Sequence, residues 1–330
     1  YMAHLAQDPA GDELPDAAEP DEDAADAEAE RREMTVDVAG HGQRLDKLLV
    51  ALAPEFSRSH LQHLVEQGAV RVDGQPSTVP SRKLRSGQRV VVELRPTPQS
   101  QAFRPEALPI DVVFEDEHLM VVHKPVGCVV HPAAGHWSGT LLNALLAHHG
   151  RAAELPRAGI VHRLDKDTSG LMVVGKTLEA VTALTRAIAA RSVHREYLAL
   201  VHGEVLQPAL LAQIEAPIAR DPRSRVRMAV VPGGKPARTD VEVVATRNGY
   251  TAVRCILHTG RTHQIRVHLS SRGYPLVADS LYGGRDALGL HRQALHAWRL
   301  RLPHPVDGRP LQFEVPAPAD FSRAWQTVVS

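Results

Sequence analysis

The chain has 330 residues, 43% of them hydrophobic, which is enough for two domains and a sizeable core. Lys plus Arg and Asp plus Glu balance at 38 each, but twelve of the acids lie in residues 1–33, leaving 36 Lys and Arg against 26 Asp and Glu beyond. Apolar runs fall short of the roughly 18 residues of a membrane span, the start lacks the pattern of a signal peptide, and two cysteines outside any CxxC spacing argue against a disulfide framework or a zinc site.

A basic body with an acidic tail points to a polyanionic partner, with charge supplying attraction and not specificity. The expected setting is a reduced, cytoplasmic protein that acts as a monomer. Nineteen histidines invite a metal, but no HExxH or Cys/His cluster supports one, so neither metal nor cofactor is expected.

Residues 1–34 read as a disordered acidic tail, rich in Ala, Asp, Glu and Pro. Residues 35–95 read as a compact unit. Leu45, Leu48, Leu49 and Leu52 recur at helical spacing, and Pro54 ends that helix. Ser57-Arg-Ser59 opens a second, with Leu61, Leu64 and Val65 on one face and Gly68 beyond its end. Val70-Arg-Val72 meets an Asp73-Gly74 turn, and Lys83-Leu-Arg85 with Val90–Leu94 completes a small sheet. From Arg44-Leu-Asp-Lys47 through Val70-Arg-Val-Asp-Gly74 this unit resembles the S4 RNA-binding domain. The resemblance makes Arg44, Lys47, Arg58 and Arg71 candidates for phosphate contacts. Residues 96–108, marked by Pro96, Pro98 and Pro105, read as an extended linker.

The larger domain, 109–330, opens with strands at Ile110–Phe114 and Leu119–Val122. Lys124-Pro-Val-Gly127 follows, with no chemistry assignable to Lys124. Leu141, Leu142, Leu145 and Leu146 mark a helix. Ile160-Val-His-Arg-Leu-Asp-Lys-Asp-Thr-Ser-Gly-Leu-Met-Val-Val174 is then a charged loop between apolar runs, its C-terminal run reading as a buried strand. His162, Arg163 and Lys166 surround Asp165 with expected positive charge, which favours the ionised carboxylate. Such an Asp serves as nucleophile or general base; a lone Asp among basic residues is more often the mark of a surface ion-pair loop.

Thr177 caps a helix to about Ala190, and Arg195–Val201 is a strand carrying Tyr197. Residues 218–239 hold Arg220, Arg223, Arg225, Arg227, Lys235 and Arg238 around Gly233-Gly234, a basic loop or hairpin. Tyr250–Leu257 is a strand, and Thr259-Gly-Arg-Thr-His-Gln-Ile-Arg-Val-His268 opens a helix. Leu311–Val315 is a closing strand and Asp320–Val329 a terminal helix.

His162-Arg163-Leu164-Asp165-x-x-Thr168-Ser169-Gly170-Leu171 resembles the catalytic motif of the RluA-type pseudouridine synthases, and Pro156–Ile160 with Lys166-Asp167 places the likeness nearest the RluD branch. Arg195-Glu-Tyr197, Thr259–His268, and Tyr274–Gly284 extend it, with Tyr274 and Ala278 departing from the pattern. The resemblance implies an α+β fold with a mixed, mostly antiparallel sheet, and isomerisation of uridine to pseudouridine. It implies that Asp165, Tyr197 and Arg266 are catalytic, with Arg266 or Arg261 pairing with Asp165. Arg163, Arg261 and His263 are then RNA contacts, and 23S ribosomal RNA or the large ribosomal subunit is the partner, through its helix-69 stem-loop. A sister synthase acting on transfer RNA, a non-catalytic ribosome-assembly factor, and a hydrolase or phosphotransferase using Asp165 are the competing readings.

Overall fold

The structure, a computed structural model, describes residues 30–54, 56–94, 102–133, 136–224 and 226–330. Residues 1–29 of the expected acidic tail, 96–101 of the expected linker, and Arg225 lie outside the described residues. The chain divides into two compact units, Tyr1–Thr97 and Pro98–Ser330.

In the first unit β1 (Glu30–Thr35), β2 (Val70–Val72), β3 (Gln75–Pro76) and β4 (Arg89–Leu94) form a sheet in the order β1-β4-β2-β3. Helices α1 (Leu45–Leu52) and α2 (Arg58–Glu66) share its core, where Leu45, Leu48, Leu49, Leu61, Leu64 and Val65 are buried with Val70 and Val90. Asp73 and Gly74 both adopt positive φ, as a two-residue hairpin turn requires. Lys83 forms only an isolated bridge to Arg44, not a strand. The strand β1 begins inside the stretch read as tail. Its charged composition masks a period-2 pairing: each residue from Glu30 to Thr35 has a partner on β4, and Arg31 pairs with Glu93 at 2.6 Å while Glu33 pairs with Arg89.

Asp46 is fully buried on α1. Its carboxylate accepts from Arg44 Nε (3.0 Å) and Nη2 (3.0 Å), Arg58 Nη2 (2.9 Å) and Gln62 Nε2 (2.7 Å). The Arg44 hydrogen bond leads in holding this carboxyl well below the usual carboxylate range, against the effect of burial. A folded-state pKa below the unfolded value means the contribution is present above about pH 4 and is lost as pH falls further. Amide protection of α1 and α2 in the full chain, corrected for intrinsic exchange, is expected to fall between pH 5 and pH 3. Asp46→Asn should already be poorly protected at pH 5 and change little; parallel pH profiles in both proteins would refute the assignment.

The second unit is built on a nine-stranded sheet. Its strands are β5 (Val112–Glu115), β6 (Leu119–Lys124), β7 (Ser169–Gly175), β8 (His194–His202), β9 (Gln213–Glu215), β12 (Arg238–Arg247), β13 (Tyr250–Leu257), β14 (Leu295–Pro303) and β15 (Pro310–Glu314). The order is β5-β6-β7-β14-β8-β13-β12-β9, with β15 also on β14. Every pairing is antiparallel except β14 with β7, so the sheet is mixed and mostly antiparallel in an α+β fold. The basic segment forms a hairpin of β10 (Ile218–Arg220) and β11 (Met228–Val230).

The strand β14 joins two halves of the sheet. One edge meets β8; the other meets β7 at Ser169 and Gly170, then β15 from Arg299 onward. Gly170 is required there, because its φ is +123° and a Cβ would lie 2.1 Å from the Ala297 carbonyl oxygen. Buried Val, Leu and Met fill β6 and β7 on both faces, as a sheet covered on both sides demands. Helices α3 (Leu141–His148), α4 (Leu178–Ala189), α5 (Gln264–Ser271) and α6 (Ala319–Val329) complete the unit. Thr177 caps α4 by accepting from Ala180 N at 3.1 Å.

Residues 102–108, expected as linker, pack on this unit. Ala102 is buried, and Asn143 Nδ2 donates to the Ala102 and Arg104 carbonyls at 3.3 and 2.9 Å. Among the described residues, no helix is long and apolar enough to cross a membrane.

Candidate active site

Asp165 sits in the turn that precedes β7, where Thr168 N donates to its carbonyl at 3.1 Å. Three left-handed residues, Arg157, Ala158 and Gly159, mark the approach to this loop. The two that are not glycine each cost about 1–2 kcal/mol, held in place by the surrounding packing.

Arg266 projects from α5. Its Nη1 donates to Asp165 Oδ2 at 2.9 Å, while Nε and Nη2 donate to Asp279 Oδ2 and Oδ1 at 2.8 and 2.9 Å. The guanidinium is buried, and Asp279 is buried beneath it. Burial lowers the Arg266 pKa, but the bonds to Asp279 more than offset this and the net shift is upward. One planar fork thus spends two donors on a buried anchor and offers a third to Asp165, a geometry that ammonium cannot copy. Arg261, the other arginine considered for this pairing, donates Nε to the Pro236 carbonyl at 3.0 Å.

Helix α5 starts later than its sequence suggests. Gln264 Oε1 accepts from Thr259 Oγ1 (2.6 Å) and Arg261 N (3.0 Å), tying residues 259–263 into a turn, and His263 is left-handed before the helix begins. This turn places His263 Nε2 at 3.9 Å from Asp165 Oδ1 and Nδ1 at 2.7 Å from the Tyr282 hydroxyl. The same hydroxyl accepts from Met228 N at 2.9 Å, and the Tyr282 ring faces the Arg266 guanidinium at 5.0 Å. Burial is the main cause that lowers the His263 pKa.

The charge around Asp165 differs from the sequence expectation. His162 is half-buried and neutral: desolvation of its ring, with Arg195 adding to it, pulls its pKa down to about 3, and Nε2 accepts from Val173 N at 3.0 Å. Arg163 and Lys166 are exposed. The cation touching Asp165 comes instead from α5, 101 residues away in the chain.

Tyr197 lies on β8 between Cys255 of β13 and Ala297 of β14. It is 4% exposed, and burial pushes its phenol pKa up. Asp165, Tyr197 and Arg266 line one cleft of about 340 Å³, together with Arg163, Arg261, His263 and Ile265. Arg44, Lys47, Arg58 and Arg71 belong to the first unit. Lys47 is exposed there, Arg44 and Arg58 are half-exposed with their forks bound to Asp46, and Arg71 Nη1 donates to Gly74 O at 3.4 Å.

Two supports of the loop had no assigned role in the sequence. Asp279 stands in the segment Tyr274–Gly284; a buried arginine needing a permanent counter-charge was the available signal. Lys124 is fully buried, and its ammonium donates at 2.9 Å to each of the Pro125, Cys128 and Lys166 carbonyls. Burial pulls its pKa down to about 8. Gly127 N also donates to the Lys166 carbonyl at 2.9 Å, so the segment 124–128 is clamped to the residue after Asp165.

Comparison with known proteins places this cleft in context. The RNA pseudouridylate synthase family model matches residues 118–271, and the S4 domain model matches residues 43–90. A Nitrosomonas europaea protein called ribosomal large subunit pseudouridine synthase D is 46% identical over 322 residues, covering 94% of this chain and 92% of the relative. A Pseudomonas aeruginosa protein of the same name is 47% identical over 293 residues, covering 85% and 90%. The solved structure of human RNA pseudouridylate synthase domain containing 1 aligns with a TM-score of 0.50 and 27% identity, over 64% of this chain and 85% of that one. With such identity along nearly its whole length, the chain belongs to the RNA pseudouridylate synthase family and carries an S4 domain ahead of its synthase unit.

Proposed function

We propose that this protein isomerises uridines of large-subunit ribosomal RNA to pseudouridine, with Asp165 as its catalytic carboxylate. The observation that carries the reading is the bond from Arg266 to Asp165 in a cleft shared with Tyr197. The names of the relatives favour a large-subunit substrate, and the likeness to the RluD branch favours the helix-69 stem-loop of 23S RNA.

The reaction needs a uridine out of its stack, at a cost of a few kcal/mol. Arg163, exposed at the rim, fills the space it leaves. The uracil enters between Tyr197, which stacks on it, and Ile265, which packs beneath. Asp165, held by Arg266, attacks the nucleotide or abstracts a sugar proton, and the N1–C1′ bond breaks. The uracil turns within the cleft and C5 bonds to C1′ as the Asp165 bond is released or the abstracted sugar proton is returned; the C5 proton then leaves and N1 regains one. All atoms of the nucleotide are conserved. Arg261 and His263 contact RNA at the cleft mouth, and Arg44, Lys47, Arg58 and Arg71 of the first unit hold phosphates further along.

Pseudouridine mapping after incubation with large-subunit RNA and with total transfer RNA tests this. New sites in the helix-69 loop are expected. Sites confined to transfer RNA would overturn the substrate, and absence of conversion on both would overturn the reading.

A further inference from the structure

Among the described residues two arginines are buried, and their surroundings differ. Arg266 is compensated by Asp165 and Asp279. Arg195, 7% exposed, makes no ion pair or hydrogen bond through its side chain, and its Nε is buried without a partner. Its neighbour Glu196 serves Arg299 and Arg301. Asp165 makes no ion pair with it: among the described residues the basic side chains within 4.0 Å of that carboxylate are Arg266 and the imidazole of His263.

Arg195 stands two residues before Tyr197 on β8, so both side chains leave the same face of the strand, and both line the cleft. Gly260 gives the fork room: a Cβ there would lie 2.9 Å from Arg195 Nη1. His162 lines the same cleft. Its Nε2 accepts the Val173 N–H, so the neutral ring keeps its proton on Nδ1, and Nδ1 is also buried without a partner. Two buried donors of the cleft, Arg195 Nε and His162 Nδ1, therefore have no acceptor within reach among the described residues, and the Arg195 guanidinium has no paired carboxylate. A buried charge without a counter-ion costs several kcal/mol, and a guanidinium does not shed its proton to escape that cost.

We propose that Arg195 forms a phosphate subsite for the nucleotide undergoing isomerisation, binding a non-bridging oxygen of its 5′ or 3′ phosphodiester. A carbonyl of uracil would satisfy one N–H and leave the charge; a phosphate satisfies both, in the fork geometry that arginine offers. The subsite has a task specific to this chemistry. Once the N1–C1′ bond is broken, uracil and ribose are no longer joined, and the sugar must stay in place while the base turns. Tyr197 holds the base and Arg195 the backbone. The inference rests on the reading of this cleft as the uridine site.

The test uses the full-length protein and a stem-loop RNA carrying a uridine that mapping shows to be converted. Its 5′ or its 3′ linkage is replaced by a neutral methylphosphonate. One of the two replacements should lower the wild-type kcat/KM at least about tenfold, and identifies the phosphate bound. In Arg195→Met the unmodified RNA should lose a similar factor, and the neutral linkage should then cost less than about twofold more, the non-additivity of groups in contact. Arg195→Lys should keep most of the linkage sensitivity. Wild-type conversion insensitive to both linkages, which no folding defect of a variant can mimic, overturns the subsite alone. Undiminished linkage sensitivity in Arg195→Met overturns it as well. Failure of the wild type to convert any uridine overturns the cleft reading and this inference together.

Discussion

Asp165→Asn is expected to abolish pseudouridine formation while RNA binding persists. The substitution is nearly isosteric and leaves an amide oxygen to accept from Arg266 Nη1, so the loop stays in register. It removes the charge and basicity on which either route of attack depends. Loss of a residue that makes or breaks a bond costs about 10⁴-fold or more in kcat. Affinity should be unchanged or slightly tighter, because a negative charge has left a cleft that receives a polyanion. Single-turnover conversion and filter-binding titrations on the same RNA check both halves. A rate within tenfold of wild type would remove Asp165 from the chemistry; a parallel loss of binding would make it a binding residue.

Arg266→Lys is expected to lower kcat about 10²-fold with KM little changed. Lysine keeps the charge but cannot grip Asp279 at two atoms and reach Asp165 with a third. The ammonium is expected to rest on the more deeply buried Asp279, which leaves the Asp165 carboxylate free to drift, and an error of about 1 Å is worth about 10²-fold. Arg266→Ala goes further: it strands Asp279 as a buried unpaired charge, and a loss of about 3–5 kcal/mol in stability should accompany the loss of rate. Asp279→Asn separates the two effects, since it keeps Arg266 charged and bonded to Asp165 but loosens its anchor. A wild-type kcat in Arg266→Lys would show that Asp165 needs a nearby charge and not a directed one.

Local patterns carried much of the fold into view. The leucine spacing of α1, the Thr177 cap of α4 and the Asp73-Gly74 turn are short-range features, and the sequence reading and the structure agree on them. What stayed hidden depends on distant partners. Residues 30–34 read as tail, because β1 opens on four consecutive charged residues and its value lies in the opposing charges of β4. His162 read as a cation; only its burial and the Val173 amide make it neutral. In the cleft, the motif drew attention to Asp165 and Arg266, but not to the buried carboxylate of Asp279 that steadies the arginine. No strand was read at residues 295–303, although β14 lies at the centre of the sheet.

That central position dictates when the cleft can exist. Asp165 is attached to β7 and Tyr197 to β8, and these strands do not touch; β14 lies between them. Ribosomes deliver a chain from its N-terminus, so Asp165 and Tyr197 emerge 130 and 98 positions before Leu295, the first residue of the strand that sets their separation. The pairing of Ser169 with His296 spans 127 residues and is parallel, a contact of high order that forms slowly. A nascent chain that still lacks β14 therefore carries Asp165 and Tyr197 without the strand that sets their separation.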